Sequence, residues 1–217
     1  MSTLHRFEAA CLVTLLVIGL AWIVRPRRSC HNCATSAIGT LKSLSTSQEQ
    51  FKQQCLVDQD HDGVGEYATF QELCGAVPCR QSGIAAEPTF MSRNLGTSAA
   101  SGRVGQAEKS GYYFLIYLPD SNGAPHAEKS VLLRGAMAAD ADRQETVWVC
   151  YAWPKTEDSG RRTFVINHEG QVYSATRRDP TWMPSPYAAF LVPCDITVPI
   201  RDRTPSATGD EWEAVGG

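Results

Sequence analysis

The chain has 217 residues, a formal net charge of −3 at neutral pH, and 43% hydrophobic residues. This length allows one domain of ordinary size beside a short terminal segment. The charge excludes both the broad basic surface typical of nucleic-acid-binding proteins and the strong charge excess of a disordered chain. We therefore expect a folded domain with no nucleic-acid partner.

A membrane anchor is predicted at the N-terminus. The uncharged apolar run over residues 9–24 would form about 24 Å of helix, close to the thickness of a bilayer core. Arg25, Arg27 and Arg28 follow it almost directly, without the small residues of a signal-peptide cleavage site. The pattern predicts that residues 1–29 are a retained single-pass anchor with a basic flank.

The arginines and the cysteines disagree about the topology of this anchor. Arginines after the apolar run would place the remaining chain in the cytoplasm by the positive-inside rule. Eight cysteines favour an oxidising compartment instead. The chain also lacks an Asn-x-Ser/Thr glycosylation site, which favours a bacterial source.

The remaining chain divides into a helix, a head domain and a tail. Residues 30–56 place apolar side chains at steps of three and four, as at Ala37, Leu41 and Leu44, which predicts an amphipathic helix. Within the head domain, predicted over 57–205, aromatic and β-branched runs indicate antiparallel strands near 112–118, 146–153, 162–166 and 171–175. Residues 80–110 read as a long loop and residues 206–217 as a disordered tail. The order of elements predicts an α+β fold.

The loop after the amphipathic helix is a candidate calcium site. Alternate carboxylates precede a glycine in the order Asp58, Asp60, Asp62 and Gly63. Such spacing lets a short loop wrap oxygen ligands around a hard cation. Glu66 falls at the ninth position of an EF-hand frame, but the twelfth is Thr69 rather than an acid. The alternative is an acidic turn whose aspartates accept hydrogen bonds from the backbone, and both readings stay open.

Two cysteine pairs have spacings that suit metal or redox chemistry. Cys30 and Cys33 have the C-x-x-C spacing of half a zinc site or of a redox pair, and Cys74 with Cys79 could supply the second half. Free thiols or a local structural disulfide are the favoured interpretation, since no zinc-ribbon repeat surrounds them.

Catalytic patterns are weak. The chain carries no G-x-S-x-G elbow, H-E-x-x-H motif, phosphate-binding loop or dinucleotide fingerprint. A Cys150–His168 pair is conceivable, but Cys150 stands in an aromatic strand, which is typical of a buried, inert thiol. We expect no enzymatic activity.

The order of apolar helix, amphipathic continuation and antiparallel strands resembles type IV pilin-like proteins, specifically the major pseudopilin of type II secretion. The stretches 36–48, 58–73 and 150–173 carry the resemblance. It implies an α+β fold in which a long N-terminal helix, membrane anchor plus amphipathic half, packs on a small antiparallel head. It also implies a non-catalytic structural subunit of a secretion or pilus-type assembly.

The resemblance further implies partners and a location. Glu8 would correspond to the glutamate that contacts the amino terminus of a neighbouring subunit, although Arg6 stands where the family has its processing glycine. Its partners would be other pilin-like subunits or secretion components and the bacterial inner membrane. The head would lie outside the cytoplasm, and the family implies structural calcium in it. The alternative, from a different functional class, is a single-pass membrane protein whose head acts as a sensor or binding domain through metal or thiols.

Overall fold

The computed structural model describes residues 30, 32–134, 140–177 and 179–216. The predicted anchor over 1–29 and its contact residue Glu8 lie outside these residues. Among the helices that are described, none has the length and apolar character needed to cross a membrane.

The described residues form a mixed α and β structure. Its helices are α1 (Cys33–Gln53), α2 (Phe70–Leu73), α3 (Arg93–Ser101), α4 (Glu128–Arg134) and α5 (Ala141–Thr146). Its strands are β1 (Ala107–Lys109), β2 (Tyr112–Pro119), β3 (Pro125–Ala127), β4 (Val149–Pro154), β5 (Arg162–Asn167), β6 (Val172–Thr176) and β7 (Glu213–Ala214).

The strands form one seven-stranded antiparallel sheet. Its order is β1-β2-β4-β5-β6-β7, and β3 pairs with the far end of β2 on the same edge as β1. The long central pairing sets Leu115 opposite Tyr151 and Tyr113 opposite Trp153. Short connections join β4 to β5 and β5 to β6, whereas β2 and β4 are joined by a long segment that contains β3, α4 and α5.

Helix α1 lies within the predicted amphipathic segment 30–56 and covers one face of the sheet. Its buried residues include Ala37, Leu41, Leu44 and Phe51, which recur at helical spacing. They pack in one core with β-strand side chains such as Phe114, Ile116, Phe164 and Ile166. The apolar face of α1 is therefore buried against the sheet and the shorter helices.

The second face of the sheet is buried by the C-terminal segment. Leu115, Tyr151 and Val165 point to this face, because successive residues of a strand alternate between faces. They pack against fully or nearly fully buried side chains of the irregular segment that follows β6, among them Phe190, Ile196, Ile200 and Trp212. The domain thus has three layers, with helices, sheet and C-terminal segment in that order.

This architecture corrects the predicted fold class. A pilin-like α+β fold, with a long membrane helix on a small sheet, is wrong for this chain. The sheet has seven strands and is covered on both faces, and strand β4 is buried at all of its positions. Near-continuous apolar runs such as β2 and β4 are what a sheet buried on both faces requires.

Two further predictions need correction. The tail over 206–217 is ordered in its described part: β7 pairs with β6, and the indole N–H of Trp212 donates to the Ala188 carbonyl at 2.7 Å. The predicted loop over 80–110 contains helix α3 and strand β1. Both segments owe their order to tertiary contacts, which leave little periodicity in the sequence.

The C-terminal layer can be tested with Trp212. We expect Trp212→Ala to lower the free energy of unfolding by about 3–5 kcal/mol, because it removes a fully buried indole. The matched control is Trp182→Ala, whose side chain is 70% exposed and whose loss we expect to cost about 0.5 kcal/mol or less. Urea unfolding of the full chain in detergent measures both, and equal losses would contradict the three-layer arrangement.

Candidate metal centre

Five carboxylates converge between the loop after α1 and helix α5. Asp58, Asp60 and Asp62 each place an oxygen within 4.8 Å of the other two. Asp60, Asp142 and Glu145 form a second set with the same closeness. These five residues are called the acid cluster below. Asp60 belongs to both sets, and it joins the loop to helix α5.

The loop aspartates are held by hydrogen bonds to their own backbone. Asp62 Oδ1 accepts from the N–H of Val64 at 2.8 Å, Asp60 Oδ1 from the N–H of Asp62 at 3.3 Å, and Asp58 Oδ2 from the N–H of Gly63 at 3.3 Å. Gly63 has φ +88°, a left-handed conformation that suits glycine. The other oxygen of Asp58, Oδ1, is buried without a hydrogen-bond partner.

The predicted ligand Glu66 lies outside both sets. Its side chain is fully buried, and its two oxygens accept from the backbone and side-chain nitrogens of Gln59 at 2.7 and 2.6 Å. Burial raises the pKa of Glu66 despite these hydrogen bonds. Thr69, at the twelfth position, accepts from the N–H of Glu72 and caps α2. The loop therefore departs from an EF-hand in its second half.

Glu145 brings a buried carboxylate to the acid cluster. Its exposed fraction is 8%, and its Oε1 is buried without a hydrogen-bond partner. Burial, together with the nearby charges of Asp62, Asp60 and Asp142, raises the pKa of Glu145 to about 7. A buried carboxylate oxygen that lacks a donor is costly unless a proton or a cation lies against it.

A buried network fixes helix α5 beside the loop. The side chain of Gln144 donates from Nε2 to the Pro119 carbonyl at 3.1 Å. The backbone carbonyl of Gln144 accepts from the N–H of Tyr67 at 2.9 Å. The Arg80 guanidinium donates to the Gln144 side chain and, at 2.5 Å, to the Tyr67 carbonyl. Its Nε forms an ion pair with Glu72 at 2.9 Å. The Arg80 guanidinium therefore holds the residues on either side of the acid cluster.

The acid cluster has no compensating cation among the residues that the structure describes. None of its five carboxylates takes part in an ion pair there. Lys52 approaches, but its Nζ donates to the Glu145 backbone carbonyl at 2.6 Å and lies 5.2 Å from the centre of the Tyr67 ring. Asp60, Asp62 and Asp142 are exposed, so an ion from solvent can reach them.

The four predicted cysteines do not assemble into a metal site. Cys30 and Cys33 form a disulfide at the start of α1, whereas Cys74 and Cys79 are buried free thiols. Burial raises the pKa of Cys74 to about 12 and that of Cys79 to about 11, so both stay protonated at neutral pH. In the described part of the chain no cysteine belongs to a group of close potential metal ligands.

Asp142 and Glu145 are the site residues that the sequence analysis missed. Asp142 lies in the first turn of a six-residue helix, where acidic residues are ordinary because they offset the helix dipole, and Glu145 lies near its other end. No spacing connects them to residues 58–62. Only the fold brings the two segments together.

These features define a class of domain: a seven-stranded antiparallel sheet covered on both faces, with an acid cluster between a loop and a short helix. The family model described as "Protein of unknown function (DUF2950)" matches residues 22–179, and the chain belongs to this family. The matched range includes the whole acid cluster. No curated protein and no solved structure matches the chain. The pilin resemblance, the Glu8 contact and the inner-membrane location stay predictions.

The network that holds α5 can be tested with Arg80. We expect Arg80→Met to lower the free energy of unfolding by about 3–5 kcal/mol, because it leaves the buried Glu72 carboxylate unpaired. The control is Arg93→Met, whose ion pair with Glu87 at 3.6 Å is at the surface and should contribute at most about 1 kcal/mol. Denaturant unfolding followed by circular dichroism compares them, and a small loss in both variants would contradict the buried network.

Proposed function

We propose that this domain binds calcium through the loop that carries Asp58, Asp60 and Asp62, and that the ion fixes how helix α1 joins the rest of the domain. The observation that carries the proposal is the mutual approach of three carboxylate oxygens within 4.8 Å, without an ion pair to any of them in the described residues. Like charges this close repel unless a cation lies between them.

The chemistry of the ligands favours calcium over other metals. All the candidate ligands are carboxylate oxygens, which suit hard cations, whereas zinc prefers cysteine and histidine. Ca²⁺ takes about six to eight oxygen ligands in flexible geometry at about 2.3–2.6 Å. Mg²⁺ demands near-ideal octahedral geometry. An irregular loop of aspartates therefore suits Ca²⁺ better.

The position of the loop gives the ion a structural effect. The loop connects the end of α1 at Gln53 to the start of α2 at Phe70. It passes close against α1, where a side chain on Gly65 would collide with the Lys52 carbonyl. An ion in the loop would hold this crossing in place. This supports the prediction of a head that binds metal, whereas the function as a pilin-like subunit depends on residues outside those described and stays a prediction.

Thermal unfolding of the full chain in detergent tests the proposal. Calcium at about 100 times its dissociation constant should stabilise the folded state by about 2.7 kcal/mol. For a chain of this size that corresponds to a rise in Tm of about 5–10 °C over a chelated sample. An equal concentration of Mg²⁺ should raise it less.

Two variants locate the effect. The double variant Asp58→Asn/Asp62→Asn should lose most of the calcium-dependent rise, whereas Glu87→Gln, which changes an exposed acid away from the acid cluster, should keep it. A Tm of the unmodified chain that calcium does not change, with no heat of binding by calorimetry, would contradict the proposal. So would an equal rise in the double variant.

A further inference from the structure

We infer that the acid cluster holds two divalent cations, and that Asp60 bridges a second site formed with Asp142 and Glu145. The inference rests on the proposed function, because the bridging residue Asp60 also belongs to the loop site. It adds a second ligand set, from helix α5, and a consequence for how the domain is held together.

Glu145 supplies a buried carboxylate to the second site. It is more than nine-tenths buried, its Oε1 has no hydrogen-bond partner, and its carboxylate approaches the oxygens of Asp60 and Asp142 within 4.8 Å. This side chain belongs to α5, so its position is independent of the turn that arranges the loop aspartates. A cation between these three carboxylates would stabilise them and offset the cost of burying Glu145.

The carboxylate oxygens of the acid cluster gather in two places. Asp58, Asp60 and Asp62 form one close set and Asp60, Asp142 and Glu145 the other, with Asp60 in common. Each set includes a residue with a buried carboxylate oxygen that lacks a partner, Asp58 Oδ1 in the first and Glu145 Oε1 in the second. An ion in the loop set alone would leave the oxygen of Glu145 unsatisfied.

The charge of the acid cluster also favours two cations over one. The acid cluster carries five ionised carboxylates when all are deprotonated. One Ca²⁺ would leave most of this charge uncompensated, whereas two would leave a single negative charge. A carboxylate such as Asp60 can offer one oxygen to each of two ions about 4 Å apart, as in two-metal sites of other proteins.

The two ions would connect different parts of the chain. The loop ion joins residues that are already close in sequence. The ion at Asp60, Asp142 and Glu145 joins the loop to α5, which Gln144 holds to the sheet through the Pro119 carbonyl. The second site is therefore a cross-link between distant parts of the chain.

Isothermal titration of the full chain with CaCl₂, after removal of metal by a chelator, tests this inference. We expect about two ions per chain in the unmodified protein. Asp142→Asn/Glu145→Gln and Asp58→Asn should each leave about one ion per chain, Asp60→Asn should weaken both sites, and Glu87→Gln should still bind about two. Circular dichroism in chelator shows that each variant is folded, and Asp142→Asn alone is titrated if the double variant does not fold.

The alternative results separate the two claims. A stoichiometry of one that Glu145→Gln leaves unchanged would overturn the second site and leave the loop site standing. A stoichiometry of one with all binding lost in both Asp58→Asn and Glu145→Gln would mean a single shared ion, which also overturns the inference. If no calcium binds at all, the proposed function and the inference both fail.

Discussion

The arrangement of this domain depends on the buried guanidinium of Arg80. One side chain forms an ion pair with Glu72 in α2, donates to the Tyr67 carbonyl at the end of the acidic loop, and donates to Gln144 in α5. A planar guanidinium suits this task because it offers five N–H donors in fixed directions and stays charged when buried. The loop and α5 can bring their carboxylates together because this cation holds both segments, and their mutual repulsion is opposed by buried contacts rather than by surface ones.

The sequence predicted the parts of the fold that local patterns determine. Strands β2, β4, β5 and β6 lie within a few residues of the aromatic and β-branched runs, and α1 lies where apolar residues recur at steps of three and four. It did not predict that both faces of the sheet are covered. The segment that buries the second face is irregular and rich in turns, so Phe190 and Trp212 stand in it without any periodicity. The pilin-like fold class was wrong because it placed one long helix on a small sheet, whereas the sheet has seven strands and is covered on both faces.

The candidate site was predictable only in part, for the same reason. The spacing of Asp58, Asp60 and Asp62 before Gly63 has a direct chemical meaning, since alternate carboxylates at a glycine turn suit a hard cation. Glu66 occupies a position that the frame assigns to a ligand, yet Gln59 takes both of its oxygens. Glu145 has no such position, and it reaches the cluster through the tertiary contacts of α5. Spacing along the chain identifies ligands within one loop and misses those that a second element supplies.

Hydrogen–deuterium exchange of the full chain with and without calcium tests most directly whether cations join the acidic loop to helix α5. The account predicts that calcium slows amide exchange both in residues 57–66 and in α5, while α3, which takes no part in the acid cluster, exchanges at an unchanged rate. Protection confined to the loop would mean that the ion does not reach α5. Equal exchange with and without calcium in both segments would contradict the account.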